Sequence, residues 1–72
     1  MIRCNLAVML AERQRNGHPV TYQNITAATG VSSTTLSRLV NGRTEMVRFN
    51  TLDGLCKFFG CTIGDLLEFV DD

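Results

Sequence analysis

The sequence predicts an all-α fold, a compact bundle of five short helices around one core, and three observations point there. A hydroxyl residue able to cap a helix, with an apolar residue just before it and another four positions on, occurs at Thr21, Ser32 and Thr62. Gly30, Gly42 and Gly60 stand where the helical patterns stop. Strand-like alternation of apolar and polar residues is absent, so no strand is expected.

The first helix is expected from Ile2 to about Arg15, with Ile2, Leu6, Met9, Leu10 and Arg13 on one face, ended by the "RNGHP" stretch. Thr21 opens a short second helix, with Val20 and Ile25 as an apolar staple around the cap. Ser32 opens the third, flanked in the same way by Val31 and Leu36, and Asn41-Gly42 closes it. After a loop of mixed charge, "RTEMVRF", Asn50 is expected to cap a fourth helix with Leu52, Leu55, Cys56 and Phe59 on one side. Thr62 starts the last helix, with Cys61 and Leu66 as staple and Asp65 as the acid of a capping box.

The chain of 72 residues is read as one domain, 1–72, whose small size limits it to burying about 60% of its unfolded surface. Apolar residues make up 44% of it without approaching the ~18-residue run of a membrane span, and no signal-peptide pattern opens it, so a soluble cytoplasmic protein is expected. Cys4, Cys56 and Cys61 fit neither a disulfide framework nor the spacing of a zinc knuckle and read as reduced thiols packed among apolar residues; no metal or other cofactor is expected. His18, before Pro19 in a polar turn, reads as a loop residue. No nucleophile and base, glycine-rich phosphate loop or ligand cluster is visible, so the chain is not read as an enzyme.

The formal net charge is zero, but the charges are segregated. Residues 1–48 hold Arg3, Arg13, Arg15, Arg38, Arg43 and Arg48 against Glu12 and Glu45, a balance of +4, and residues 49–72 carry −4. The third helix lies within the basic part. With Ser33 at zero and about 100° per residue, Ser37, Asn41, Thr34 and Arg38 fall near 40°, 80°, 100° and 140°, whereas Leu39, Leu36 and Val40 fall near 240°, 300° and 340°. The polar face therefore carries small hydroxyls, an amide and a guanidinium, and no acid occurs between Gly30 and Thr44. Short side chains let a helix approach a surface closely. Hydroxyls bond base edges or phosphates, arginine bonds guanine at two atoms, and a helix N-terminus attracts phosphate.

Beyond these residue-level arguments, "TYQNITAATGVSSTTLSRLVNG" resembles the helix-turn-helix of the Cro/C1-type, phage repressor-like family, and "RFNTLDGLCKFFGCTIGDLLEF" resembles the two helices that follow it there. The resemblance implies a lambda repressor-like DNA-binding domain with its motif at about 21–42, a transcriptional regulator, and a repressor in particular. Base readout then falls on Ser33, Thr34, Ser37 and Arg38, and backbone contacts on Tyr22, Ser32, Asn41, Arg43 and Arg48. Two positions depart from the family pattern, with Tyr22 in place of glutamine and Thr26 in place of alanine against the turn.

One such module reads only a few base pairs, so the expected partner is double-stranded DNA with an inverted-repeat operator, bound by a homodimer whose seam falls on Phe58 and Phe69. Two other readings are open. An antitoxin-like module would use the same fold to hold a small protein partner, with "EFVDD" as the available segment. A thiol or metal sensor would need Cys56 and Cys61 close together and exposed.

Overall fold

A computed structural model describes residues 1–71; Asp72, the last member of the acidic C-terminal stretch, lies outside the described residues. The hydroxyl caps start helices at the expected places. Thr21 and Thr62 each accept a hydrogen bond from the backbone N–H three residues on, at 3.1 and 3.3 Å, and in both cases the side chain at that third position, Asn24 or Asp65, accepts one in return from the cap's own N–H. Ser32 caps in the simpler way, accepting from the Thr35 N–H at 3.2 Å.

Five helices result: α1 (Leu6–Arg15), α2 (Tyr22–Thr29), α3 (Ser33–Val40), α4 (Phe49–Phe59) and α5 (Ile63–Leu66). Each contributes one fully buried aliphatic side chain to a common core, respectively Leu6, Ile25, Leu36, Leu55 and Leu66. Three of these five are the staple residues four places after a cap, so the signal that starts a helix also fixes which residue it buries. Truncating any of the five to alanine removes about 2–5 kcal/mol. No helix among the described residues is long and apolar enough to cross a membrane.

Three expectations are corrected. The expected absence of strands is overturned by β1 (Ile2–Cys4) and β2 (Leu67–Phe69), which pair antiparallel with Ile2 opposite Phe69, Arg3 opposite Glu68 and Cys4 opposite Leu67. Three-residue strands are too short to show alternation, and their pairing joins opposite ends of the sequence. The first helix consequently begins at Leu6 rather than Ile2, and α5 spans only four residues before the chain extends into β2. Asn50 is not the cap of α4: Arg48 holds the extended cap conformation, its carbonyl accepts the first helical bonds from Thr51 and Leu52, and no side chain caps that end.

Arg13, on an otherwise apolar face of α1, finds its place at the far end of α4. Its guanidinium lies 5.2 Å from the centroid of the Phe59 ring and donates from Nη2 to the Phe59 carbonyl at 3.3 Å, where the helix leaves carbonyls unpaired. Gly54, in the middle of α4, marks the close approach of α2: a Cβ there would lie 3.2 Å from Thr29 Cβ.

Candidate nucleic-acid interface

Between α2 and α3 the chain turns at Gly30, whose φ of 80° lies in the left-handed region that glycine adopts without steric cost, and Val31 is buried. Leu36 and Leu39 point α3 into the core, which turns its opposite face outward. On that face Ser33, Thr34 and Arg38 are exposed and Ser37 is half-buried. Asn41 donates from its amide to Ser37 Oγ at 3.3 Å, which fixes the last polar group of the face relative to the middle of the helix. Beyond the helix, the Arg43 N–H donates to the Arg38 carbonyl at 2.9 Å, and Gly42 supplies the left-handed residue with φ 67°. The loop therefore folds back, holding Arg43 beside the end of α3.

These groups converge. Ser33, Thr34, Ser37, Arg38, Asn41 and Arg43 line a single open hollow of ≈ 440 Å³ together with Tyr22 from the first turn of α2. All the residues expected to read bases are in it, with three of those expected to hold the backbone. Ser32 and Arg48 lie instead along an adjoining hollow between the N-terminal ends of α3 and α4. Ser32 Oγ is engaged there, accepting from the Thr35 N–H and donating to Thr35 Oγ1 at 3.0 Å, so its hydroxyl serves the helix start.

Thr35 and Thr51 line this second hollow and were missing from the expected set. At about 200° on the wheel, Thr35 falls outside the polar arc, and only the packing of α4 beside α3 brings Thr51 near.

No acidic side chain lines either hollow. Glu12, Asp65 and Glu68 line a different one, together with Arg3, which donates to Glu68 across the sheet. Arg38, Arg43 and Arg48 form no ion pair among the described residues, so all three present their charge to solvent. The face is thus cationic and rich in donors, with small hydroxyls between its charges, the composition suited to phosphates and base edges.

A family model for the Cro/C1-type HTH DNA-binding domain matches residues 5–72. The chain belongs to this family. It is also 34% identical over 68 residues, 94% of this chain and 75% of the relative, to the uncharacterized HTH-type transcriptional regulator YozG of Bacillus subtilis (strain 168). No solved structure matches the chain significantly. In this Cro/C1-type domain α2 and α3 are joined by the turn at Gly30, and the polar hollow is lined from the start of α2, along α3 and into the loop after it.

The departures from the family pattern have different outcomes. Tyr22 joins the hollow. Thr26 buries its Oγ1 without a hydrogen-bond partner. The cysteines sit elsewhere: burial raises the Cys4 thiol pKa, and burial together with the neighbouring Cys56 thiol raises that of Cys61. Cys56 and Cys61 are drawn together by the turn that ends α4, where the Cys61 N–H donates to the Cys56 carbonyl at 3.0 Å.

Proposed function

We infer that this Cro/C1-type domain is a DNA-binding transcriptional regulator that lays α3 in the major groove, working in the cytoplasm as a homodimer on an inverted-repeat operator and acting as a repressor. The observation that carries the reading is the convergence of seven donor-bearing side chains, from Tyr22 to Arg43, in one hollow free of acids. Ser33, Thr34, Ser37 and Arg38 are the base-reading set, with Arg38 the group suited to guanine because its fork matches two acceptors on one base edge. Tyr22, Asn41 and Arg43 flank them as phosphate contacts, and Ser32 and Arg48 extend the contact past the start of α3. Repression follows from occupancy, since a protein seated in the groove excludes others from the same base pairs. Of the two phenylalanines expected at a dimer seam, Phe69 is 70% exposed on β2, whereas Phe58 is half-buried with its ring edge-on to Phe59 at 5.0 Å.

Selection of bound sequences from a randomised duplex library at near-physiological salt tests this reading. An inverted repeat with half-sites about ten base pairs apart is the expected product. Against that operator, Arg38→Ala costs about 1–3 kcal/mol and relaxes preference at one base pair, while Arg43→Ala weakens all sequences alike and lowers the salt slope by about 1. Equal losses on every sequence for Arg38→Ala would demote it to a phosphate contact. Motif-free binding by the wild-type chain would overturn sequence-specific regulation in favour of the antitoxin-like reading, which co-purification with a small protein would then support.

A further inference from the structure

Asparagine is followed by glycine at two places in the chain, Asn16-Gly17 and Asn41-Gly42, and both pairs are exposed. Each asparagine closes a helix with nearly the same backbone, ψ 7° at Asn16 and 2° at Asn41, and each glycine is left-handed, with φ 82° and 67°. In such a pair the glycine nitrogen can attack the carbonyl carbon of the preceding side chain, since both groups belong to one chain and no side chain stands over the nitrogen.

Two contacts govern this step at Asn41. The Gly42 N–H reaches the Leu39 carbonyl at 3.4 Å, longer than an ordinary bond, whereas the Gly17 N–H holds the Gln14 carbonyl at 3.1 Å. The attacking nitrogen is therefore less restrained at Gly42. The Asn41 amide is in turn held by the Ser37 hydroxyl at 3.3 Å, on the polar face of α3. Ring closure needs that bond to break and the backbone at 41 to leave its near-helical ψ, a change within reach at a fraying helix end.

The two places differ in what such a reaction would alter. Asn16 lines neither acid-free hollow, but Asn41 lies in the one that holds Arg38 and Arg43. We propose that Asn41-Gly42 is a site of spontaneous deamidation, which puts a carboxylate into this hollow and ends the hold of the chain on DNA, and that bound DNA shields the site. The proposal rests on the reading of this hollow as the DNA contact.

In the first step the Gly42 nitrogen bonds to Asn41 Cγ, and the side-chain nitrogen leaves as ammonia with the Gly42 proton. Water then opens the five-membered imide at either carbonyl, giving aspartate or isoaspartate. With two arginines and no acid in the hollow, either product cancels half of its formal charge. The new charge also faces the unpaired carbonyls at the end of α3, where a negative group is unfavourable. Isoaspartate further lengthens the backbone inside the turn closed by the Arg43 N–H and the Arg38 carbonyl, so Arg43 loses its seat.

The test is to age the full chain at mildly alkaline pH, alone and with an excess of a short mixed-sequence DNA duplex. Peptide mass spectrometry locates each exchange of NH for O, and binding to the same duplex is measured at low salt. The free chain is expected to convert at both 16 and 41, and the duplex to slow conversion several-fold at 41 alone. Duplex affinity is expected to fall in step with conversion at 41. Asn41→Asp, the direct mimic, is expected to raise the duplex Kd about tenfold and to lower the salt slope by about 1. Gly42→Asn puts a side chain beside the attacking nitrogen, in a left-handed position that asparagine tolerates and where a Cβ meets nothing within 4 Å. It is expected to bind the duplex as the wild type does and to lose that binding several-fold more slowly.

An Asn41 that stays intact after Asn16 has converted, conversion at 41 that leaves duplex affinity unchanged, or conversion at 41 that bound duplex does not slow would each overturn the proposal. Failure of the underlying reading shows separately: freshly prepared chain with Asn41 intact would not hold the duplex, and the proposal would fall with it.

Discussion

Thr26 buries a hydroxyl that has no partner, at a position where the family pattern has alanine. Other threonine hydroxyls in the motif are engaged: Thr21 caps α2, and Thr29 Oγ1 donates to the Ile25 carbonyl at 2.7 Å while accepting from the Val31 N–H at 3.1 Å. Thr26 alone among these three carries the desolvation of its oxygen without a bond in return. Thr26→Val keeps the branched shape and removes that oxygen, so it is expected to stabilise the domain by about 1 kcal/mol, raising Tm by about 4–8 °C in a thermal melt. A lower Tm would mean that the hydroxyl is bonded after all. The departure at Thr26 was readable from sequence, and so was the choice it imposed between a local bond and a cost. Which of the two prevails depends on the carbonyls within reach, and residue identity does not encode that. Arg13 is similar: its place on an apolar face was visible, but the Phe59 ring and carbonyl that receive it come from 46 positions away.

Among the elements, α4 breaks the propensity rule most openly, with Gly54 at its middle. Alanine there would favour the isolated helix by about 1 kcal/mol. In the folded chain its Cβ would meet Thr29 Cβ at 3.2 Å, and Thr29 cannot yield, because both bonds of its hydroxyl tie it to the end of α2 and the turn. Gly54→Ala is therefore expected to destabilise by about 1 kcal/mol net, once overpacking outweighs the gain in propensity. A chemical denaturation midpoint that rises would show instead that α4 shifts freely on α2. The contrast also shows what the sequence made legible. The caps at Thr21, Ser32 and Thr62 were readable because cap, staple and start all fall within six residues. The same locality exposed the polar face of α3 and most of its hollow. Asn50 misled because a good capping residue stands two positions past the true cap, Arg48. The ribbon was invisible because neither of its strands carries a pattern of its own, and Thr51 joins the site only through the docking of α4.

At the scale of the whole molecule, the segregation of charge noticed along the chain becomes a division of surface. Arg38, Arg43 and Arg48 lie along the two acid-free hollows, while Glu12, Asp65 and Glu68 gather along another. A neutral chain can thus present a cationic face without being basic overall. The β1–β2 ribbon has a further meaning for how the chain acquires its shape in time. The helical hairpin of α2 and α3 closes over short stretches of chain, but Arg3 and Glu68 meet only after a loop of 65 positions has closed. Such pairing is entropically slow to reach, so the ribbon belongs to the late side of the folding barrier. Loss of the pair through Glu68→Gln is expected to leave the refolding limb of a chevron plot nearly unchanged and to speed unfolding by the full loss of stability. A slower refolding limb would place the ribbon in the nucleus. With the ribbon late, β1 and β2 act as a clasp on an already assembled bundle, and loosening that clasp shortens the lifetime of the native state more than it slows its formation.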